Sequence, residues 1–242
     1  MKHVPLLIGC PVLGRSWIVD PWIEYTENAC SNANVKPGYV FLGDARDASI
    51  EMLVNKLLDL GREVFFVNED EPVLDYSRVW NSDRYKRMIE VRNRLLCKVR
   101  DISPSYFLSL DSDILLHPES LARLLRMSEF DAVGAKLYME PPPGANSKLH
   151  NRNNPSYYIL RNGRPKRFDS SNTIEVDVIM AAKLMGPKAY AVDYEFHYYG
   201  EDVGWSMACK RNGLRLGWDG AVTSKHVMDE RYLDKVDPRC GY

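Results

Sequence analysis

Asp111 and Asp113 stand one residue apart, directly after the apolar run from Tyr106 to Leu110. In an extended chain that spacing turns both carboxylates to one side, so at a strand end they can face a single cation. Hard divalent ions such as Mg²⁺ and Mn²⁺ take oxygen ligands and bridge to substrate phosphates. Asp-Ser-Asp also suits a turn or a helix cap; its position beyond a buried strand in an α/β chain favours the metal. A second acidic pair, Glu201-Asp202, lies between Gly200 and Val203-Gly204-Trp205. A carboxylate there can cap a helix and face its dipole, or take a proton from a substrate. His226 is a structural or exposed histidine, or an imidazole ligand. Asp44, after Gly43, is a turn residue or a hydrogen-bond acceptor. Arg92, between Arg87 and Arg94, belongs to a solvated helix face or to a site that needs a cation.

The elements that must position these residues follow from hydrophobic period. Apolar runs at Pro5–Gly9, Gly38–Leu42, Glu63–Val67, Tyr106–Leu110 and Ala132–Tyr138 read as strands. Between them, helical spacing marks Ile18–Ala29, a helix capped by Asp47 or Ser49 and closed by Gly61, a long helix from Ser82 or Asp83 to Arg100, and a helix opened by Pro118-Glu119. Alternation of strand and helix predicts an α/β fold with a doubly wound, mostly parallel sheet, which places ligands beyond the carboxyl ends of its strands. Cys10, Asp44 and Asp111 all fall at such ends.

Residues 140–173 break this pattern. Pro141-Pro142-Pro143-Gly144 is a stop, and Tyr157–Leu160, Asn162-Gly163 and Lys166–Phe168 read as a small β-hairpin insertion. Between Glu140 and Asp169 there is no acidic residue, while Lys148, Arg152, Arg161, Arg164, Lys166 and Arg167 are present with Tyr157 and Tyr158. That composition is a solvated surface insertion or a grip on phosphates, including those of DNA or RNA. Beyond it, a strand over Thr173–Val178, a helix over Val203–Arg211 closed by Gly213, and strands at Leu214–Trp218 and Val222–Val227 complete the chain.

The 242 residues suffice for one large core, and the hydrophobic fraction of 45% and charged fraction of 27% are those of a globular protein. A net charge of −1 calls for neither nucleic acid nor an acidic membrane as such. Five scattered cysteines without a CxxC argue against a disulfide framework or a cysteine zinc site and fit a reducing, cytoplasmic setting. The apolar run at Leu6–Ile8 is too short for a signal segment, and no stretch approaches the roughly 18 apolar residues of a membrane span. There is no P-loop, GxSxG or HExxH motif.

Leu108-Ser109-Leu110-Asp111-Ser112-Asp113 resembles the DxD motif of GT-A glycosyltransferases, and the order of strands, the long helix with Arg92-Asn93 and then the motif is similar over roughly residues 4–228. The resemblance implies a metal-dependent transfer of a sugar from a nucleoside diphosphate, a UDP-sugar by expectation, with Mn²⁺ or Mg²⁺. It implies that Asp113 ligates the metal, that Asp111 contacts ribose or a metal-bound water, and that Arg92 lies near the donor diphosphate or the metal-site acids. Gly200-Glu201-Asp202 resembles the xED motif, which makes Asp202 the base of an inverting transfer and Glu201 its neighbour. His226 takes the place of a C-terminal metal ligand, and Asp44 becomes an acceptor for a base N–H or ribose. Residues 1–242 are then a single domain: a donor-binding half over about 1–139, the insertion over about 140–173, and an acceptor side with the C-terminal ligand over about 174–242. The chain departs from the family at Val176–Ala182, where a glycine-rich turn is usual. The alternatives are a nucleotidyltransferase on a similar sheet, disfavoured because only Gly9, Gly14 and Arg15 follow the first strand, and a non-catalytic module binding sugar or nucleic acid.

Overall fold

The computed structural model describes residues 4–69, 82–139, 157–161, 164–166 and 172–235. The strands are β1 (Leu6–Pro11), β2 (Gly38–Gly43), β3 (Glu63–Asn68), β4 (Tyr106–Ser109), β5 (Ile114–Leu115), β6 (Ala132–Met139), β7 (Tyr157–Arg161), β8 (Arg164–Lys166), β9 (Ile174–Val176), β10 (Val178–Ile179), β11 (Lys183–Met185) and β12 (Leu216–His226). The helices are α1 (Val19–Asn32), α2 (Ala48–Asp59), α3 (Ser82–Ile102), α4 (Ser120–Arg126), α5 (Pro187–Tyr190) and α6 (Glu201–Arg211). None of the described helices is long and apolar enough to cross a membrane.

Among the described residues the main sheet runs β3-β2-β1-β4-β11-β6-β12-β5, with β9 also paired to β12. The pairs β1–β2, β2–β3, β1–β4 and β6–β12 are parallel. Strand β11 runs antiparallel to both β4 and β6, so those two share one direction across it. The sheet is therefore mostly parallel, as expected, with reversed strands at β5, β9 and β11; the strand expected over Thr173–Val178 is present as β9 and β10, whereas hydrophobic period did not reveal β5 and β11.

Alternate strand residues feed opposite faces. Leu6, Ile8, Cys10, Tyr39, Phe41 and Leu108 pack with α1, α2 and α4 on one side. Leu7, Val40, Leu42 and Phe107 pack with α3, α5 and α6 on the other. Helix α1 buries Trp22 edge-on against Tyr39 and Phe41. Helix α2 starts where Asp47 accepts from the Ser49 amide. At Gly9 a side chain would lie 1.8 Å from the Val40 carbonyl oxygen, so only glycine lets β1 and β2 approach there.

The expected hairpin is present as β7 and β8, paired antiparallel, with its turn and Arg167-Phe168 outside the described residues. Strand β10 extends it through Val178↔Tyr158 and Ile179↔Tyr157. The two strands expected at Leu214–Trp218 and Val222–Val227 form one, β12, which keeps pairing with β6 through an irregularity between Asp219 and Thr223.

Candidate active site

The acidic tract begins where β4 stops. Strand pairing ends at Ser109, and the amide of Ile114 donates to the carbonyl of Asp111 at 3.0 Å, closing a turn. The period-two argument therefore lapses, and the two carboxylates take different partners. Asp113 is buried and Asp111 is three-quarters buried. Trp22 Nε1 donates to the Asp111 carbonyl at 3.1 Å and pins the turn from below.

Asp113 meets His226. Strand β12 pairs antiparallel with β5 in the register His226↔Ile114, and the Val227 amide donates to the Asp113 carbonyl at 2.7 Å. That register sets His226 Nε2 3.2 Å from Asp113 Oδ1. The second oxygen, Oδ2, accepts from Arg15, 98 residues earlier in the loop after β1. Burial alone would raise the Asp113 pKa, but His226 and Arg15 hold it well below the usual carboxylate range. Burial depresses the His226 pKa, yet the Asp113 charge more than offsets this and raises it.

Asp111 faces Arg92. One guanidinium nitrogen of Arg92 lies 3.1 and 3.2 Å from the two Asp111 oxygens, and Nε lies 3.5 Å from Glu201 Oε1. Arg92 is buried, 5% exposed, so it is no part of a solvated face. It ties the acid after β4 to the start of α6. Its neighbour Asn93 exchanges two hydrogen bonds with the Tyr194 backbone, at 3.0 and 2.7 Å, which docks the 191–200 segment on α3.

Helix α6 opens at Glu201, two residues before the sequence-based start. Its cap is Gly200, at φ 118°, and no side chain caps it. Asp202 does not cap: its Oδ1 accepts from Lys183 Nζ of β11. Lys183 is fully buried, 4.8 Å from the Trp205 ring centroid and 5.1 Å from that of Tyr194. Burial pushes the Asp202 pKa up, but Lys183 and Arg92 outweigh it and the carboxyl is lowered. Lys183 is raised in turn, because the Asp202 charge offsets its burial. Glu201 goes the other way: burial and the Asp202 charge raise it despite Arg92.

Asp44 lies beyond β2 and keeps to its own turn. It accepts from the Arg46 amide at 2.8 Å and pairs with the Arg46 guanidinium at 2.6 Å, and these bonds lower its pKa to about 2. The structure thus brings together Asp113 with His226, and Asp111 with Arg92 and Glu201, and leaves Asp44 with Arg46. It adds Arg15 and Lys183, which spacing did not single out. Arg15 carried a signal, a cation after Gly14 beyond the first strand; a lysine within an apolar triplet carried none.

No family model matches the chain, and no curated protein matches it. Solved structures do. A fragment of S. aureus TarS, residues 1–349, matches at TM-score 0.55 and 9% identity over 92% of this chain and 60% of that one. The same TarS fragment in complex with UDP matches at 0.54 and 13% identity, over 91% and 59%. The mannosyltransferase PcManGT from Pyrobaculum calidifontis, in complex with GDP-Man and Mn²⁺, matches at 0.55 and 9% identity, over 96% and 59%. The chain spans about three fifths of the length of these structures. The chain shares the fold of these structures, one of which is a mannosyltransferase.

Proposed function

We propose that the protein is a nucleotide-sugar glycosyltransferase that uses a divalent cation. The observation that carries the reading is the convergence of Asp113 and His226 beyond the carboxyl ends of a mostly parallel sheet, the place where such folds bind ligands. Two donors each about 2.1 Å from a cation and at right angles lie about 3 Å apart. The 3.2 Å between Asp113 Oδ1 and His226 Nε2 fits that geometry. Among the described residues no group of three His, Cys, Asp or Glu side chains is arranged to hold a metal ion. Asp113 and His226 would thus leave the other positions to water and to substrate oxygens, as Mg²⁺ and Mn²⁺ sites on phosphates do. When bound, the cation would offset the charge that grows on the departing diphosphate.

The remaining chemistry falls to the chain's own residues. Arg92 fixes Asp111 and Glu201, so the donor-side turn and the acceptor-side helix keep one spacing. Asp111 then serves ribose or a metal-bound water, and Asp44 the nucleoside, after exchanging Arg46 for it. Asp202 is the base that takes the acceptor's proton in an inverting transfer. Lys183 keeps it ionised and fixed, and the proton leaves a hydroxyl that turns strongly acidic as its bond to the sugar forms. UDP is the favoured donor nucleotide on the resemblance of the acidic motifs; the neighbours carry UDP in one case and GDP-Man in another, so both are tested below. The buried free thiols of Cys10, Cys30 and Cys209 suit a reducing, cytoplasmic setting.

The test is thermal stabilisation by a panel of UDP- and GDP-sugars with Mn²⁺, Mg²⁺ or EDTA, since a ligand of the folded state raises Tm by mass action. At least one nucleotide-sugar should raise Tm with metal and not with EDTA, and Asp113→Ala should erase that shift. A panel without any metal-dependent shift would overturn the proposal.

A further inference from the structure

Arg15 has a place in the site that the proposed transfer does not yet use. It stands in the loop after β1, which is held at both ends: the Val12 amide donates to the Leu42 carbonyl at 2.9 Å, and the Gly14 amide donates to Asp47 Oδ2 at 2.6 Å. From there its guanidinium reaches Asp113 Oδ2, while His226 takes Oδ1. Both oxygens of the buried acid proposed to ligate the cation are thus engaged by nitrogen donors. The Asp113 side chain is 6% exposed, whereas that of Arg15 is 23% exposed. A divalent ion bound through Asp113 and His226 must share that carboxylate with a cationic guanidinium. Like charges at such range repel, most strongly where water is excluded. Arg15 is the partner with freedom to leave: its side chain is long and part of it already faces solvent. A guanidinium is also the side chain whose fork matches phosphate with two parallel bonds.

We propose that Arg15 is a stand-in cation that occupies the metal's place on Asp113 and transfers to the donor's diphosphate when metal and nucleotide bind together. The inference rests on the reading of the protein as a metal-dependent nucleotide-sugar transferase and adds an order to it. Metal alone must displace Arg15 with nothing to receive it, so it binds weakly. With a diphosphate present, the displaced guanidinium gains a partner, so metal and nucleotide each tighten the other by the same factor, as linkage requires. Arg15 is in this sense a binding residue for the diphosphate, and its substitution should change binding equilibria in a direction that loss of a structural ion pair does not.

Free aquated Mn²⁺ is followed by electron paramagnetic resonance during titration of the wild type, Arg15→Met and Arg15→Lys, with and without UDP. Without UDP, Arg15→Met should bind Mn²⁺ about fivefold or more tighter than the wild type, the scale of a typical coupling between sites. With Mn²⁺ present it should bind UDP more weakly, so the wild type's mutual enhancement shrinks. Arg15→Lys, whose compact ammonium cannot grip two oxygens in parallel, should move both affinities the same way by less, and it stands in if Arg15→Met does not fold. Mn²⁺ affinity without UDP that is unchanged or weaker in both variants overturns the role of Arg15, and it does so alone if the wild type still binds Mn²⁺ and UDP together. A wild type that binds neither, even in combination, overturns the proposed function and this inference with it.

Discussion

Asp202 and Lys183 bury opposite charges against each other, at 5% and 0% exposure, and this changes what a substitution at either one can mean. Asp202→Asn keeps an oxygen for Nζ but leaves the ammonium without a counter-charge. We expect a loss of about 3 kcal/mol in urea unfolding, the low end for breaking a buried pair. Transfer should fall about 10²–10⁴-fold for want of a base. The double variant Lys183→Met with Asp202→Asn removes the stranded charge, so it should recover most of the stability and none of the transfer. Recovery of both would show that Asp202 holds the fold and takes no proton. The pH dependence follows from the same pair. In the wild type Asp202 is lowered, so its contribution is complete above the ordinary carboxylate value and is lost as pH falls through the depressed one. In Lys183→Met burial is no longer offset by its largest counterweight. The folded carboxyl then rises above its unfolded value, and its contribution is present at low pH and lost as pH rises. The stability gap between wild type and Lys183→Met should therefore widen from roughly pH 4 to pH 7, as read from urea midpoints at each pH. A gap that narrows over that range would contradict the arrangement.

Helix α6 is placed by a close approach of two backbones. A side chain at Gly204 would lie 1.9 Å from the carbonyl oxygen of Glu195, so the helix rests directly on the segment that Asn93 docks onto α3. Gly204→Ala must push these apart and carries Glu201 and Asp202 with it. The expected cost is about 1–3 kcal/mol, with transfer down about 10²-fold from a displacement near 1 Å and nucleotide binding near normal. Gly213→Ala, in open space but at φ 74°, is the control: about 1–2 kcal/mol from the left-handed backbone and no change in transfer per folded molecule. Equal losses of transfer in both would remove α6 placement as the cause. What was legible in the sequence divides along the same line. Strands β1, β2, β3, β4 and β6 are continuous runs with helical spacing between them, and each lies within a residue or two of its expected bounds. Strand β5 has two residues and β11 three, too short for any period, and β11 opens with a lysine that reads as exposed. The irregularity at Asp219–Thr223 split β12 in the sequence because a polar, glycine-containing step looks like a turn. At Ala182 the backbone takes φ 55° without glycine, which is why the turn before β11 gave no signal either. The acids and His226 stood out by type as candidates; their pairing with Arg15 and Lys183 did not, since contact across 98 and 19 residues depends on register.

For the molecule as a whole, the remaining asymmetry is one of charge. The total is −1, yet the tract between Glu140 and Asp169 contains only basic charges. Its hairpin, β7 and β8, is joined to the body through β10. Strand β10 in turn is fastened to α6, where Ser206 Oγ bonds both the amide and the carbonyl of Ile179 at 3.2 and 3.3 Å. The backbone thus sets the basic hairpin beside the helix that carries Glu201 and Asp202, the acceptor side of the proposed transfer. A polyanionic acceptor would be drawn to that side, with DNA or RNA as the test case. If so, the wild type binds single-stranded DNA or RNA at low salt, and affinity falls linearly on a log–log plot against salt. Replacing Arg164, Lys166 and Arg167 together by glutamine should then flatten that slope by about two units, since each phosphate contact contributes about 0.7–0.9. Mn²⁺-dependent binding of UDP should not change when the hairpin serves the acceptor alone. Fluorescence anisotropy across a salt series reads the first effect and a nucleotide titration the second. A wild type that binds no nucleic acid at low salt rules out that acceptor. A triple variant that loses UDP affinity would instead assign the hairpin to the donor's phosphates.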